Sequence, residues 1–290
     1  FIVVEALLGA GLVLFRLVFF LLTLAIAWAT YRFARECRAS RETAWLSVCL
    51  LMSMTTFVYV AIEIRPDVPQ TFFGVLSALY FTRMLRSRSP RDAALSGVFA
   101  ALAFLFLQKA VLLLAMYSVP FAVAAFRRHL PWHLGVHLAG AFAAMCAPFA
   151  VYLAAAGYFD DYLLANWLLN LGIAGRPRQV TDLGPFVLRD FARNAVFWAL
   201  LLGAAASAVR RRFRADYALP AWLGLAPIVV FFAFGRLVDR YIAAAVPFLA
   251  VAVALWLSEA CERRQIRGRR LAAALLVICL VPAVSMARSV

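Results

Sequence analysis

The chain has 290 residues, of which 66% are hydrophobic and only 15% charged, at a mean hydropathy of +0.89. A water-soluble domain carries roughly 25% charged residues, so a soluble enzyme is excluded and the composition is that of an integral membrane protein. The net charge of +15 rests on 28 Arg and a single Lys, Lys109; the Arg residues fall in short clusters between apolar runs, which speaks against a nucleic-acid partner and for charge that sets membrane topology.

The chain opens on Phe1. Phe1–Leu8 reads as the tail of an earlier span, broken at Gly9-Ala10-Gly11, with no signal-peptide pattern. An N-terminal part upstream of Phe1 is therefore expected. Apolar runs then predict about ten spans: Leu12–Tyr31, Thr43–Ile62, Val68–Met84, Ala93–Leu107, Ala110–Phe126, Pro131–Ala156, Ala195–Val209, Tyr217–Phe234, Tyr241–Ser258 and Leu271–Ala287. The fold class is all-α, a polytopic transmembrane bundle treated as one domain over residues 1–290. Ala93–Leu107 is short, about 22 Å at 1.5 Å per residue, so it needs a thinned bilayer or help from the turn at Lys109.

The turns alternate in charge. One set holds Arg32, Arg35, Arg38 and Arg41; Arg83, Arg86, Arg88 and Arg91; Arg127 and Arg128; Arg210, Arg211, Arg212 and Arg214; and Arg263, Arg264, Arg267, Arg269 and Arg270, together 19 of the 29 basic residues. The positive-inside rule makes this set cytoplasmic. The other set is then extracytoplasmic, and acids concentrate there too: Glu63, Asp67, Asp160, Asp161, Asp182, Asp190 and Asp239. Its long connection, Gly157–Asn194, begins with apolar residues at Tyr162, Leu163, Trp167, Leu168 and Leu171. That spacing predicts an interfacial helix over Tyr158–Leu171, followed by an irregular loop broken by Gly172, Gly175, Pro177, Gly184 and Pro185.

Candidate site residues gather on this outer face. Glu63-Ile64-Arg65-Pro66-Asp67 closes one hairpin, with Pro66 fixing its bend. Ionisable groups pressed against hydrocarbon are costly and mark functional sites by default. Gln108-Lys109 closes the next hairpin. Asp160-Asp161 opens the interfacial helix, on which Asn166 and Asn170 lie one turn apart. Asp239-Arg240-Tyr241 closes a later one. Acids and bases together suit a substrate with an anionic phosphate and a neutral sugar-like part, Arg being the bidentate phosphate partner. Each residue also has a plainer reading: Arg65 and Asp67 as a local pair sealing the turn, Lys109 as a snorkelling end cap, Asp239 and Arg240 as an ion pair, and Asp160-Asp161 as a helix cap.

His129, His133 and His137 recur every four residues, a spacing that invites a metal. No carboxylate or Cys accompanies them and Arg127 and Arg128 adjoin, so they read as interfacial or structural. The five cysteines, Cys37, Cys49, Cys146, Cys261 and Cys279, are scattered and read as free thiols. No nucleotide-binding glycine motif is present.

Phe15-Arg16-Leu17, the Arg-rich turn, and Glu63–Asp67 resemble the bacterial GT-C glycosyltransferases, the group related to protein O-mannosyltransferases and the lipid A aminoarabinose transferase. Ser96-Gly97, Ala100–Leu105 and Gln108-Lys109 are similar to a short span and turn of that group, and Arg240-Tyr241 with Val246-Pro247 to its late segment. The resemblance covers Leu12–Ser258. It implies a bacterial inner-membrane enzyme that moves a sugar from a polyprenyl-phosphate donor to a lipid, glycan or protein acceptor on the outer face, among membrane lipids and without nucleic acid. It also implies a catalytic carboxylate in an outer loop after an earlier span, expected upstream of Phe1, so the catalytic acid is unassigned here. Lys109, Arg240 and Tyr241 are expected to stabilise the departing phosphate. Glu63 and Asp67 would orient hydroxyls, with Arg65 as partner or phosphate contact, and Asp160 and Asn170 complete the substrate-binding candidates. No cofactor and no obligatory metal is expected; Asp160-Asp161 is the place for a divalent ion if one is used. The competing classes are a transporter or lipid flippase, which calls for polar or broken mid-span helices, and an O-antigen ligase or polymerase-like enzyme, which calls for a larger outer loop.

Overall fold

The computed structural model describes residues 12–61, 63–127, 129–168, 188, 190–211, 215–233 and 239–263. They form helices α1 (Leu12–Glu36), α2 (Arg41–Ser53), α3 (Thr55–Ala61), α4 (Asp67–Ser87), α5 (Pro90–Phe106), α6 (Val111–Phe126), α7 (His133–Ala155), α8 (Phe159–Leu163), α9 (Ala195–Arg211), α10 (Ala215–Ala233) and α11 (Asp239–Arg263). Among the described residues there is no strand and no disulfide. With no water in the bilayer to satisfy the backbone, closed helical hydrogen bonding is what such apolar runs require. Nine of the ten predicted spans coincide with these helices; Leu271–Ala287 lies outside the described residues. By length and apolarity alone, α1, α7, α11 and the stretch Gln108–Phe126 suffice to cross a membrane, and α2 with α3 makes a bent fifth.

The helix boundaries follow from local chemistry. Ser40 caps α2 by accepting from the Thr43 amide at 3.1 Å, and Ser89 caps α5 with Pro90 in its first turn. At the Arg-rich end, α4 closes on Arg88 in the left-handed region (φ 54°), and Glu36 pairs with Arg83 at 3.3 Å.

α4 is the centre of the bundle, packed against α1, α5, α6 and α11. It is less apolar than a lone span because protein, not lipid, surrounds it. Its Ser77 donates to the Ser96 carbonyl at 2.9 Å, Ser96 returns the bond to the Ser77 carbonyl at 3.0 Å, and the Tyr117 hydroxyl donates to Ser77 at 3.0 Å. This polar knot ties α4, α5 and α6 with its groups mutually satisfied. Beside it, α5 meets α7 so closely that a Cβ on Gly97 would lie 2.1 Å from the Leu138 carbonyl oxygen. Small residues at helix contacts allow such approach in membranes.

The second predicted span, Thr43–Ile62, is not continuous. It breaks at Met54, where the backbone turns extended (φ −81°, ψ 105°), and α3 leaves α2 at 75°. A break inside an apolar segment strands backbone donors. A partner from another part of the chain takes up one of them: Asn194 Oδ1 accepts from the Thr55 amide at 2.9 Å. Asn194 Nδ2 donates to the Thr56 hydroxyl at 2.9 Å, and that hydroxyl donates to Asp190. The Trp198 indole also donates to Asp190, at 2.8 Å.

Of the interfacial helix predicted over Tyr158–Leu171, residues 158–168 are described; its last three residues and most of the irregular loop that follows lie outside the described residues. α8 covers Phe159–Leu163 and continues as one π-helical turn over Leu164–Leu168, with Trp167 ranged against Phe104 at 6.1 Å.

Candidate active site

The site is assembled where α4, α6 and α11 begin. Pro66 (φ −64°) leads into α4 and places Asp67 in its first turn, where the helix N-terminus favours a carboxylate. The Thr71 hydroxyl donates to the Asp67 carbonyl at 2.7 Å. Across the bundle, α5 stops at Phe106, Leu107 is extended, and Gln108–Ala110 forms a single 3₁₀ turn before α6. That turn points Lys109 inward. Its ammonium, half-buried, forms an ion pair with the buried Asp67 and sits 4.3 Å from the centre of the Tyr241 ring. Tyr241 in turn stacks on Phe231 at 4.0 Å. The single lysine of the chain is thus held between a carboxylate and an aromatic face, a cation–π arrangement reinforced by a charge-assisted bond.

Lys109 and Tyr241 line a half-open cleft of about 490 Å³, a volume that includes its opening to solvent. Its walls are apolar: Leu113, Met116, Leu223, Phe231 and Phe248. The polar groups at its edge are Lys109, Tyr241, Gln70 and Thr71. Asp67 stands one layer behind, bordering a smaller void of about 190 Å³ with Ile26, Phe57 and Ala243. An apolar slot with one fixed cation and a few hydrogen-bonding groups suits an amphiphile with an anionic head.

The structure therefore brings Asp67, Lys109 and Tyr241 together. Lys109 is not a snorkelling cap, and Asp67 does not pair with Arg65. Arg65 pairs instead with Glu63, at 2.5 Å, near the surface and outside the cleft lining. Asp160 is exposed on α8 and does not line the cleft; the link from α8 to the site is Gln108 Nε2, which donates to the Tyr162 hydroxyl at 3.3 Å. Asn170 and the Arg240 side chain lie outside the described residues. His133 and His137 are exposed neighbours, and no group of three or more His, Cys, Asp or Glu that could hold a metal ion occurs among the described residues. Two features escaped the sequence reading. Gln70 and Thr71 follow Asp67 at helical spacing, and Asp190 with Asn194 forms a polar i,i+4 pair; both spacings were visible.

The helical bundle, with a lysine-bearing cleft where three of its helices begin, defines a membrane protein of the GT-C type. The chain belongs to the dolichyl-phosphate-mannose-protein mannosyltransferase family, whose profile it matches over residues 3–152. Among solved structures it is similar to ArnT from Cupriavidus metallidurans bound to undecaprenyl phosphate, with a TM-score of 0.67 and 19% identity over 94% of this chain and 52% of that one. The apo form of ArnT matches with a TM-score of 0.65 at 19% identity, over 94% of this chain and 51% of that one. The chain spans about half the length of these structures, and at this identity the likeness is one of fold. No curated protein matches by sequence. The family match bears out the resemblance read from the residues and takes in Asp67 and Lys109, while Tyr241 lies beyond it.

Proposed function

We propose that this bundle belongs to a glycosyltransferase that moves a sugar from a polyprenyl-phosphate donor to a lipid, glycan or protein acceptor on the extracytoplasmic face of a bacterial inner membrane. The observation that carries the reading is Lys109, held between Asp67 and Tyr241 at the edge of an apolar cleft. In such a transfer the acceptor oxygen bonds to the anomeric carbon while the bond from that carbon to the phosphate oxygen breaks. The electron pair leaves with the lipid phosphate, and the acceptor proton passes to a carboxylate base. Charge grows on the phosphate, so a preorganised cation beside it lowers the barrier. Lys109 is that cation, with Arg240 as a second. Asp67 fixes the ammonium's position and is engaged in that pair, so the base is left unassigned among these residues. Family membership and the undecaprenyl phosphate bound by ArnT support the lipid-linked donor; the Arg clusters support the face.

The test is release of polyprenyl phosphate by the full-length protein in nanodiscs supplied with polyprenyl-phosphate sugars. Lys109→Ala and Asp67→Asn are expected to slow release by about 10²–10³, the usual cost of losing one preorganised charge-stabilising group. Wild-type rates in both variants would sink the site assignment. Substrate-dependent flux with no transfer would replace the enzyme with a flippase.

A further inference from the structure

Gln70 is the residue that neither the fold nor the proposed charge chemistry accounts for. It follows Asp67 by three residues on α4 and precedes Thr71, so the three share one helical face. It is 8% exposed and lines the cleft with Lys109 and Tyr241. Its Oε1 is buried and accepts no hydrogen bond. The nearest hydroxyl in sequence is committed elsewhere, since Thr71 donates to the Asp67 carbonyl at 2.7 Å. Buried amide oxygens are nearly always satisfied, because leaving one without a donor costs the whole of its lost hydration. An unsatisfied one on a side chain that lines a cleft is a place where a ligand's donor can answer it.

The chemistry of that donor is restricted. The unsatisfied atom is an acceptor and an ionised phosphate diester has no hydrogen to give it, so the phosphate is placed with Lys109 and not against Oε1. A purely hydrocarbon chain offers no donor. What remains is a neutral group with an O–H or N–H. We infer that Gln70 is a specificity-determining contact, its Oε1 accepting a hydrogen bond from a hydroxyl or amine of the sugar carried by the lipid phosphate. This rests on the glycosyltransferase reading and divides the cleft in two: a cationic edge for the phosphate, shared by every polyprenyl phosphate, and an acceptor edge for the sugar. It also predicts that Gln70 costs the ligand-free protein stability, as binding groups held without their ligand do.

The experiment compares wild type with Gln70→Met, which keeps length and loses the acceptor, in full-length protein in nanodiscs. The probes are undecaprenyl phosphate alone and undecaprenyl phosphate bearing mannose, glucose or 4-amino-4-deoxyarabinose. Wild type is expected to bind at least one sugar-bearing lipid more tightly than the bare lipid. Gln70→Met should weaken that lipid about 5–20-fold, the worth of one buried hydrogen bond. It should leave the bare lipid within about twofold and leave the ligand-free melting temperature equal or higher. Equal losses for both lipids, or a lower melting temperature, would show a packing role and overturn the inference. So would unchanged binding of both, or a wild type that does not prefer a sugar, and the glycosyltransferase reading would survive either. A wild type that binds neither kind of lipid would overturn that reading, and this inference with it.

Discussion

Asp67 and Asp190 are almost equally buried, at 4% and 3% exposure, yet they are surrounded by different things. Asp190 accepts from the Thr56 hydroxyl, the Asn194 amide at 3.1 Å and the Trp198 indole at 2.8 Å, neutral donors that knit residues 190–198 to the start of α3. Asp67 pairs with an ammonium that lines a cleft. Burial alone therefore does not separate the two carboxylates. The donors on Asp190 tie one segment of the chain to another, whereas the ammonium on Asp67 is a fixed cation at the edge of an apolar slot. The distinction has a physical root, since neutral donors stabilise a charge that stays, whereas an ion pair presents a charge that can be shared with an incoming anion.

The contrast breaks most readily at Asp190. Asp190→Ala leaves three buried donors unanswered and unpins the broken helix, so it is expected to lose about 3–5 kcal/mol, the largest stability effect in the protein. Thermal unfolding in detergent checks it; a variant that melts like wild type but no longer transfers sugar would move Asp190 from architecture to chemistry. Gly97→Ala supplies a purely steric reference, because its Cβ would strike the Leu138 carbonyl, which is backbone and cannot swing aside. A loss of about 1–3 kcal/mol with sugar preference retained among the folded molecules is expected. Glu63→Gln is the smallest change. Its pair with Arg65 is partly solvated, at 27% and 43% side-chain exposure, so stability should shift by less than about 1 kcal/mol and the release rate by less than about threefold. A large rate effect there would extend the site to the surface hairpin.

Helices were legible in this chain because lipid-length apolar runs admit little else. The Asp67, Lys109 and Tyr241 positions were legible because charge and aromatic rings at helix ends stand out against hydrocarbon. Their partners were not. Arg65 sits two residues from both Glu63 and Asp67, and only the start of α4 decides that Asp67 turns inward. The break at Met54 left no sign, since Met-Thr-Thr contains no helix breaker; it depends on Asn194, which lies 139 residues away from Thr55. Gln70 left little sign either, being a single amide in an apolar run whose meaning depends on what fails to meet it. Asp160 stood out in the sequence for the same reason as Asp67, yet α8 leaves it in solvent.

The bend between α2 and α3 has a consequence for reach. Thirteen residues of α2 rise about 20 Å, and the seven residues of α3, turned by 75°, add only about 3 Å along the same direction. A bilayer's hydrocarbon layer is about 30 Å deep. Measured along α2, the two helices together span about 7 Å less than that depth. Proteins with such a deficit draw the lipid headgroups down to meet them. The helix pair is then a dent in the wall of the bundle, a place where the bilayer thins instead of standing at full height.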